Sequence, residues 1–337
     1  MSAFLGFGTA LPDHVVEPAA VVAALKRIWP RLPAASPADA VTRRMVQSLD
    51  DVLNHRTLGQ AMSAYAEHAP RLAELASRRA LAAAGVEPRE IDMVISVSCT
   101  GYMVPSLDVQ LARELGMRSD IIRLPITELG CSGGSAAIAA AHRHLAAYPR
   151  DRVLVVAVEI CSLSFRSEDR SLDNLTAALV FGDGAAATVM SGDRADGLHL
   201  VDAASRLVPN SSAALGFDLR DSGFHIVLDR RVPRLVEASL ASAVADFRAA
   251  HRIDTFDFYA VHAGGPRIFD AVQSALRLDE EALAVSRRVF REVGNLSSAS
   301  ILFSLAGLPQ TPGDGLAIAF GPGVTIELAH LHRGPRD

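Results

Sequence analysis

The stretch TELGCSGGSAAI (Thr127–Ile138) decides the reading of this chain, because it returns in altered form as REVGNLSSASI (Arg291–Ile301). In each copy an acidic residue, one apolar residue and a glycine precede the position of interest: Cys131 in the first, Asn295 in the second. A run of small residues follows, so both side chains stand at the start of a helix, where backbone N–H groups have no partner of their own. The spacing upstream agrees. Asp92 lies 39 residues before Cys131, and Asp257 lies 38 before Asn295.

Working outward, strand-like and helix-like runs alternate in the same order on both sides. Ile91–Ser98, Ile121–Leu129, Val153–Ile160 and Ala185–Met190 read as strands, with helices over Ser106–Leu115 and Cys131–Ala147. In the second half Phe256–Val261, Leu316–Phe320 and Val324–Leu328 are strands, and Arg267–Leu276 and Ser297–Leu305 are helices. The N-terminal segment MSAFLGFGTALPDHVV reads as a first strand, and the Pro/Ala segment Pro30–Pro37 as a loop. Alternation of this kind predicts an α/β architecture, and its duplication predicts a pseudo-twofold site between the halves.

Composition removes several classes of chemistry. The chain has 337 residues, 50% hydrophobic and 21% charged, with 33 basic against 38 acidic side chains and a formal charge of −5. That balance does not suit nucleic-acid binding, and no apolar run approaches the roughly 18–20 residues that span a bilayer. Without a basic n-region ahead of Asp13, a secretory signal is not expected. Cys99, Cys131 and Cys161 form neither a disulfide framework nor a zinc spacing, which points to a reducing compartment, the cytoplasm, and to no metal. Lys26 is the only lysine. There is accordingly no P-loop and no motif for Schiff-base chemistry.

Three residues can carry chemistry together. Cys131, at a helix start, meets the positive end of the helix dipole, which favours thiolate. His262 ends the strand FYAV and is followed by Ala263-Gly264-Gly265-Pro266, a turn that frees its ring at a strand end. Asn295, alone a helix cap, becomes an amide donor for an oxyanion beside the other two. Cysteine, imidazole and amide suit thioester chemistry, including decarboxylation of a malonyl thioester, whose enolate two hydrogen-bond donors stabilise. His330 and His332 read instead as the solvated face of a terminal strand.

Taken in order, ELGCSGG, LVFGDGAAA (Leu179–Ala187), FYAVHAGGPRI, REVGNLSSASILF and AFGPGVTIE (Ala319–Glu327) resemble the type III polyketide synthases, the chalcone/stilbene synthase-like branch of the thiolase superfamily. The resemblance covers nearly the whole chain. It implies a five-layered αβαβα thiolase-like fold of two halves, 1–192 and 193–337, and a homodimer. Its substrates are CoA thioesters, acyl-CoA and malonyl-CoA, without a further cofactor. By the same resemblance Cys131 accepts the acyl group, while His262 and Asn295 drive malonyl-CoA decarboxylation. Phe181 is a gate between the CoA tunnel and the condensation cavity, and Gly321, Pro322 and Gly323 form the loop that shapes it. Cys99, Cys161, Ser164 and Ser297 fall at its small lining positions. Arg267, with Arg43, Arg44 and Arg56 as looser candidates, would hold the CoA phosphates.

Departures bear on the starter. Ile226 replaces a second gate aromatic, and Val104 stands where plant enzymes place a methionine. A wider, aliphatic entrance favours a fatty-acyl starter and closure to an alkylpyrone or resorcinol. An aromatic starter, or malonyl-CoA alone as in tetrahydroxynaphthalene formation, stays open. So does a β-ketoacyl-acyl-carrier-protein synthase III-like enzyme, although its usual His-Gln-Ala-Asn run is here His262-Ala263-Gly264-Gly265, and so does a non-catalytic member of the fold.

Overall fold

A computed structural model describes residues 1–30, 41–194 and 196–334, so most of the Pro30–Pro37 segment lies outside the described residues. The first half runs β1 (Ser2–Ala10), β2 (His14–Val16), α1 (Pro18–Ile28), β3 (Arg43–Met45), α2 (Leu49–Leu53) and α3 (Leu58–Ala84). It continues with β4 (Met93–Val97), α4 (Leu107–Leu115), β5 (Ile122–Ile126), α5 (Gly133–Ala147), β6 (Arg152–Ile160), α6 (Leu172–Val180) and β7 (Asp183–Ser191). The second holds β8 (Leu198–Leu207), the hairpin β9 (Leu215–Arg220) and β10 (Gly223–Leu228), α7 (Val232–His251), β11 (Phe258–Val261) and α8 (Pro266–Leu276). It closes with α9 (Ala284–Val293), α10 (Ser300–Ala306), β12 (Gly313–Gly321) and β13 (Thr325–Arg333).

Nine strands form one sheet in the order β11-β12-β13-β8-β1-β7-β6-β4-β5. Strands of the first half occupy one side and those of the second the other. The seam is β1, which pairs antiparallel with β7 along most of its length and with β8 through Ser2, Ala3 and Phe4. The helices α5 and α10 touch each other and strands of both halves, α3 and α4 cover the outer face of the first, and α7 with α8 covers the second. The layers are therefore αβαβα, as the duplicated pattern predicts, with the two sheet halves hydrogen-bonded into one.

β6 shows why its residues form a strand of this kind. Val153, Val155 and Ala157 face the central core with α5, whereas Leu154, Val156 and Val158 face the outer core with α3. A strand covered on both faces needs a continuous apolar run rather than alternation. The long helix α3 begins with a capping box between Thr57 and Gln60 and ends where Gly85 turns left-handed at φ 63°. Among the described residues no helix is long and apolar enough to cross a membrane. His330 departs from expectation: it is 7% exposed, with Nε2 2.7 Å from the Asp314 carboxylate. A second layer, α7, covers its strand, and no periodicity in β13 reports that.

Candidate active site

Cys131 lies in a single 3-10 turn, Gly130–Ser132, that leads directly into α5. Gly134 is small because the equivalent turn of the other half packs onto it, and Gly133 chiefly because the Val97 side chain of β4 does. A Cβ on Gly134 would lie 2.2 Å from the Ser298 carbonyl oxygen. By the sequence repeat Gly134 and Ser298 are equivalent positions, so the two helix starts cross where the halves meet.

His262 follows β11, and its N–H donates to Ile318 O of the parallel neighbour β12 at 2.8 Å. The chain turns sharply, with Gly264 N donating to His262 O at 2.7 Å and Gly265 at φ 130° ahead of Pro266, the first residue of α8. Asn295 follows Gly294, which at φ 78° ends α9. The Asn295 Oδ1 accepts the Ser297 N–H at 2.8 Å, which fixes the amide and leaves Nδ2, among the described residues, with only a long bond to Gly264 O at 3.4 Å. A donor is thereby held ready.

Cys131, His262 and Asn295 line one cleft of about 690 Å³, with Arg267 and Arg230 on its wall. A second, apolar chamber adjoins it, lined by Cys99, Cys161, Ser164, Phe181, Ile226, Ser297 and Pro322 and reaching Val21, Leu25, Leu49 and Leu53. Cys131, Phe181 and Leu215 border both. Phe181 thus stands between the chambers.

Two thiols share one hydroxyl: Ser297 Oγ is 3.2 Å from Cys99 Sγ and 3.4 Å from Cys131 Sγ. Ser297 itself has φ 48°, a left-handed backbone that a non-glycine residue adopts at a cost. Behind them lies the buried Glu159. Its carboxylate accepts from Thr100 Oγ1 at 2.7 Å, from Cys99 N and Thr100 N at 3.1 Å, and from Ser298 Oγ. It ties the Cys99 loop to the turn after Asn295.

Electrostatics correct one expectation. Burial pushes the Cys131 thiol up to about 11, the Glu159 charge adds to this, and the Ser297 hydroxyl opposes it. Burial also lowers the His262 imidazole to about 4. The resting site therefore holds a neutral thiol and a neutral imidazole, because desolvation outweighs the helix start. A nucleophilic Cys131 therefore requires that the thiol first give up its proton. Cys99 and Cys161 are pushed well above the ordinary thiol value by burial.

A family model for the C-terminal domain of chalcone and stilbene synthases matches residues 199–334, and its N-terminal counterpart matches 40–194. The chain belongs to this family. It is a type III polyketide synthase, an acyl-transferring enzyme. A 1,3,6,8-tetrahydroxynaphthalene synthase of Streptomyces coelicolor is 36% identical over 334 residues, covering 95% of this chain and 89% of the relative. A phloroglucinol synthase of Pseudomonas fluorescens is 32% identical, covering 85% and 84%. The solved tetrahydroxynaphthalene synthase structure from S. coelicolor superposes with a TM-score of 0.93 at 34% identity, covering 99% of this chain and 100% of that one.

Within the synthase, several residues expected at the site lie elsewhere. Val104 is 78% exposed and lines neither chamber of its own chain. Gly321 and Gly323 frame Pro322, which alone of that loop borders the cavity. Arg44 makes long bonds to the Pro12 and Asp13 carbonyls, and Arg56 bonds Gln47 and the Asp51 carbonyl, both away from the cleft. Arg43 is buried and cannot meet a phosphate. Sequence reasoning missed Glu159, Phe217 and Arg230. An acidic residue inside the apolar run VLVVAVEI was the available signal for Glu159, since a buried charge needs a reason. Phe217 reaches the chamber through a hairpin that pairs it with Ile226, which local pattern does not show.

Proposed function

We propose that this synthase loads an acyl group onto Cys131 and extends it iteratively with malonyl-CoA before ring closure. The single observation that carries the reading is the convergence of Cys131, His262 and the half-free Asn295 amide on one cleft. The thiolate attacks the CoA thioester and expels CoA. In the next malonyl-CoA the C–C bond to the carboxylate breaks and CO₂ leaves. The electron pair forms an enolate whose oxygen is held by His262 and Asn295. Its carbon then attacks the Cys131 thioester, releasing the thiolate. Arg267 and Arg230 would hold the CoA phosphates: both are exposed on the cleft and, among the described residues, neither makes a hydrogen bond or an ion pair with a carboxylate.

For starter and product we favour malonyl-CoA alone and a polyhydroxylated naphthalene, the product in the name of the relatives, over the fatty-acyl starter that Ile226 and Val104 led us to expect. A naphthalene with oxygen on alternate carbons is what head-to-tail joining of malonyl-derived units gives. A second reading, an aliphatic acyl starter, draws on the apolar arm of the chamber toward Val21, Leu25 and Leu53. We also read the chain as two units, 1–192 and 193–337, and as a homodimer. The dimer is supported by β5, an edge strand whose Ile122 and Leu124 are 47% and 36% exposed, since apolar edges seek partners.

The test is mass spectrometry of products from malonyl-CoA alone and with acetyl-, hexanoyl-, long-chain acyl- or coumaroyl-CoA. An aromatic polyol from malonyl-CoA alone supports the first reading. Alkylpyrones or resorcinols that require an acyl-CoA support the second. Activity only on carrier-protein thioesters overturns both.

A further inference from the structure

Arg43 is 1% exposed, yet it carries a charge into the wall of the apolar chamber. Its Nη2 donates to Leu179 O at 2.7 Å, and its Nη1 donates to Phe181 O at 3.2 Å and to Ala178 O. These carbonyls end α6, where the last backbone acceptors of a helix have no partner within it. Accounting for that end leaves nothing over. Ala177 O takes the Phe181 N–H, Leu179 O also takes the Val41 N–H, and Val180 O takes the Asn295 N–H at 2.8 Å. Gly182 N then donates to Asn295 O at 3.0 Å, so Phe181 and Asn295 form a short parallel bridge. A cation here also meets the negative end of the helix dipole.

The gate and the oxyanion donor are thus joined by one backbone bridge just past the end of α6, and Arg43 holds the Phe181 carbonyl on the opposite side. We propose that Arg43 is a positioning residue for condensation: by closing the end of α6 from inside, it sets both the Phe181 ring between the chambers and the Asn295 amide. Burial leaves the guanidinium charged at neutral pH, lowered only to about 10, with the Asp183 carboxylate opposing the shift. Lysine in its place keeps a charge but not the planar fork that spans carbonyls of three residues. Crowding makes the bridge unforgiving, because a Cβ on Gly182 would lie 2.7 Å from Val293 O and 3.2 Å from Arg43 Cβ.

The inference rests on the reaction proposed above, and the experiment separates the two. Wild type, Arg43→Lys and Arg43→Met are compared for thermal midpoint, for kcat and KM on malonyl-CoA, and for the ratio of acetyl-CoA to polyketide. The expected result is a folded Arg43→Lys enzyme with KM near wild type, kcat lowered about 10- to 100-fold as small misplacements of reacting groups produce, and an altered product ratio. A folded variant with wild-type kcat and ratio overturns the role of Arg43 while the reaction stands. Failure of both variants to fold assigns Arg43 to stability and also overturns it. Wild-type protein that turns over no malonyl-CoA overturns both.

Discussion

Replacing Gly134 by alanine tests the claim that main chain, not side chains, sets the spacing of the site. The added Cβ would lie 2.2 Å from Ser298 O and 2.9 Å from Ile301 Cγ2, whereas ordinary contact begins at 3.4 Å. The obstructing oxygen belongs to the turn after Asn295, and it cannot rotate away as a side chain could. Relief therefore requires the two helix starts to separate by more than 1 Å. Overpacking of this kind costs about 1–3 kcal/mol, and a displacement of that size between reacting groups costs about a hundredfold in rate. CoA release from malonyl-CoA and the thermal midpoint, measured on the same preparation, read both effects. Gly59→Ala is the control, since its Cβ would find only Thr57 Oγ1 at 4.0 Å. Gly133→Ala, opposed chiefly by the Val97 Cγ1 methyl, should fall between them. A Gly134→Ala enzyme with wild-type kcat and midpoint would refute the reasoning.

Other expectations follow from the electrostatics and the cleft. His262 is held to about 4, below its ordinary ~6.5, so it stabilises the fold fully above that ordinary value and loses this as pH falls toward 4. The stability difference between wild type and His262→Asn should accordingly shrink by ~3 kcal/mol over that window in urea titrations; a difference constant with pH rejects it. Removing the Glu159 charge should bring the Cys131 thiol down, so Glu159→Gln should be alkylated faster by iodoacetamide at pH 8 while losing about 1–3 kcal/mol of stability. Slower or unchanged alkylation would contradict the charge argument. Arg230→Ala and Arg267→Ala should each raise KM for malonyl-CoA about tenfold, worth about 1.4 kcal/mol, with kcat little changed; equal KM removes them from the phosphate site. Light scattering at the mass of one chain would remove the homodimer.

What could be read in the sequence was local and repeated. Strand β6 spelled itself as an apolar run, and the two glycine-led turns marked Cys131 and Asn295 before any contact was known. Other features depend on partners far along the chain. α3 went unread because its buried face is written in alanines, with Pro70 inside it. Val104 looked like a wall residue by position, yet it is exposed and lines neither chamber, a matter of tertiary placement. The charge state of Cys131 was misjudged for a related reason. A helix start is visible in sequence, whereas the depth at which it is buried is not. Arg43 could be seen only as one cation among many arginines, since the carbonyls it serves are about 135 residues away.

The seam formed by β1 has a consequence for how the enzyme comes into being. Ala3 pairs with Ser191, and Ser2 with Leu200, so a strand made early in synthesis can be seated only after β7 and β8 have been made. Until then the outer helices of the first half cover a sheet whose inner edge is open. Pairing over such a separation is slow and leaves an adhesive edge while it waits. A first half separated after residue 192 would keep β1 paired with β7 but lack β8, so the edge at Ser2, Ala3 and Phe4 would stay open.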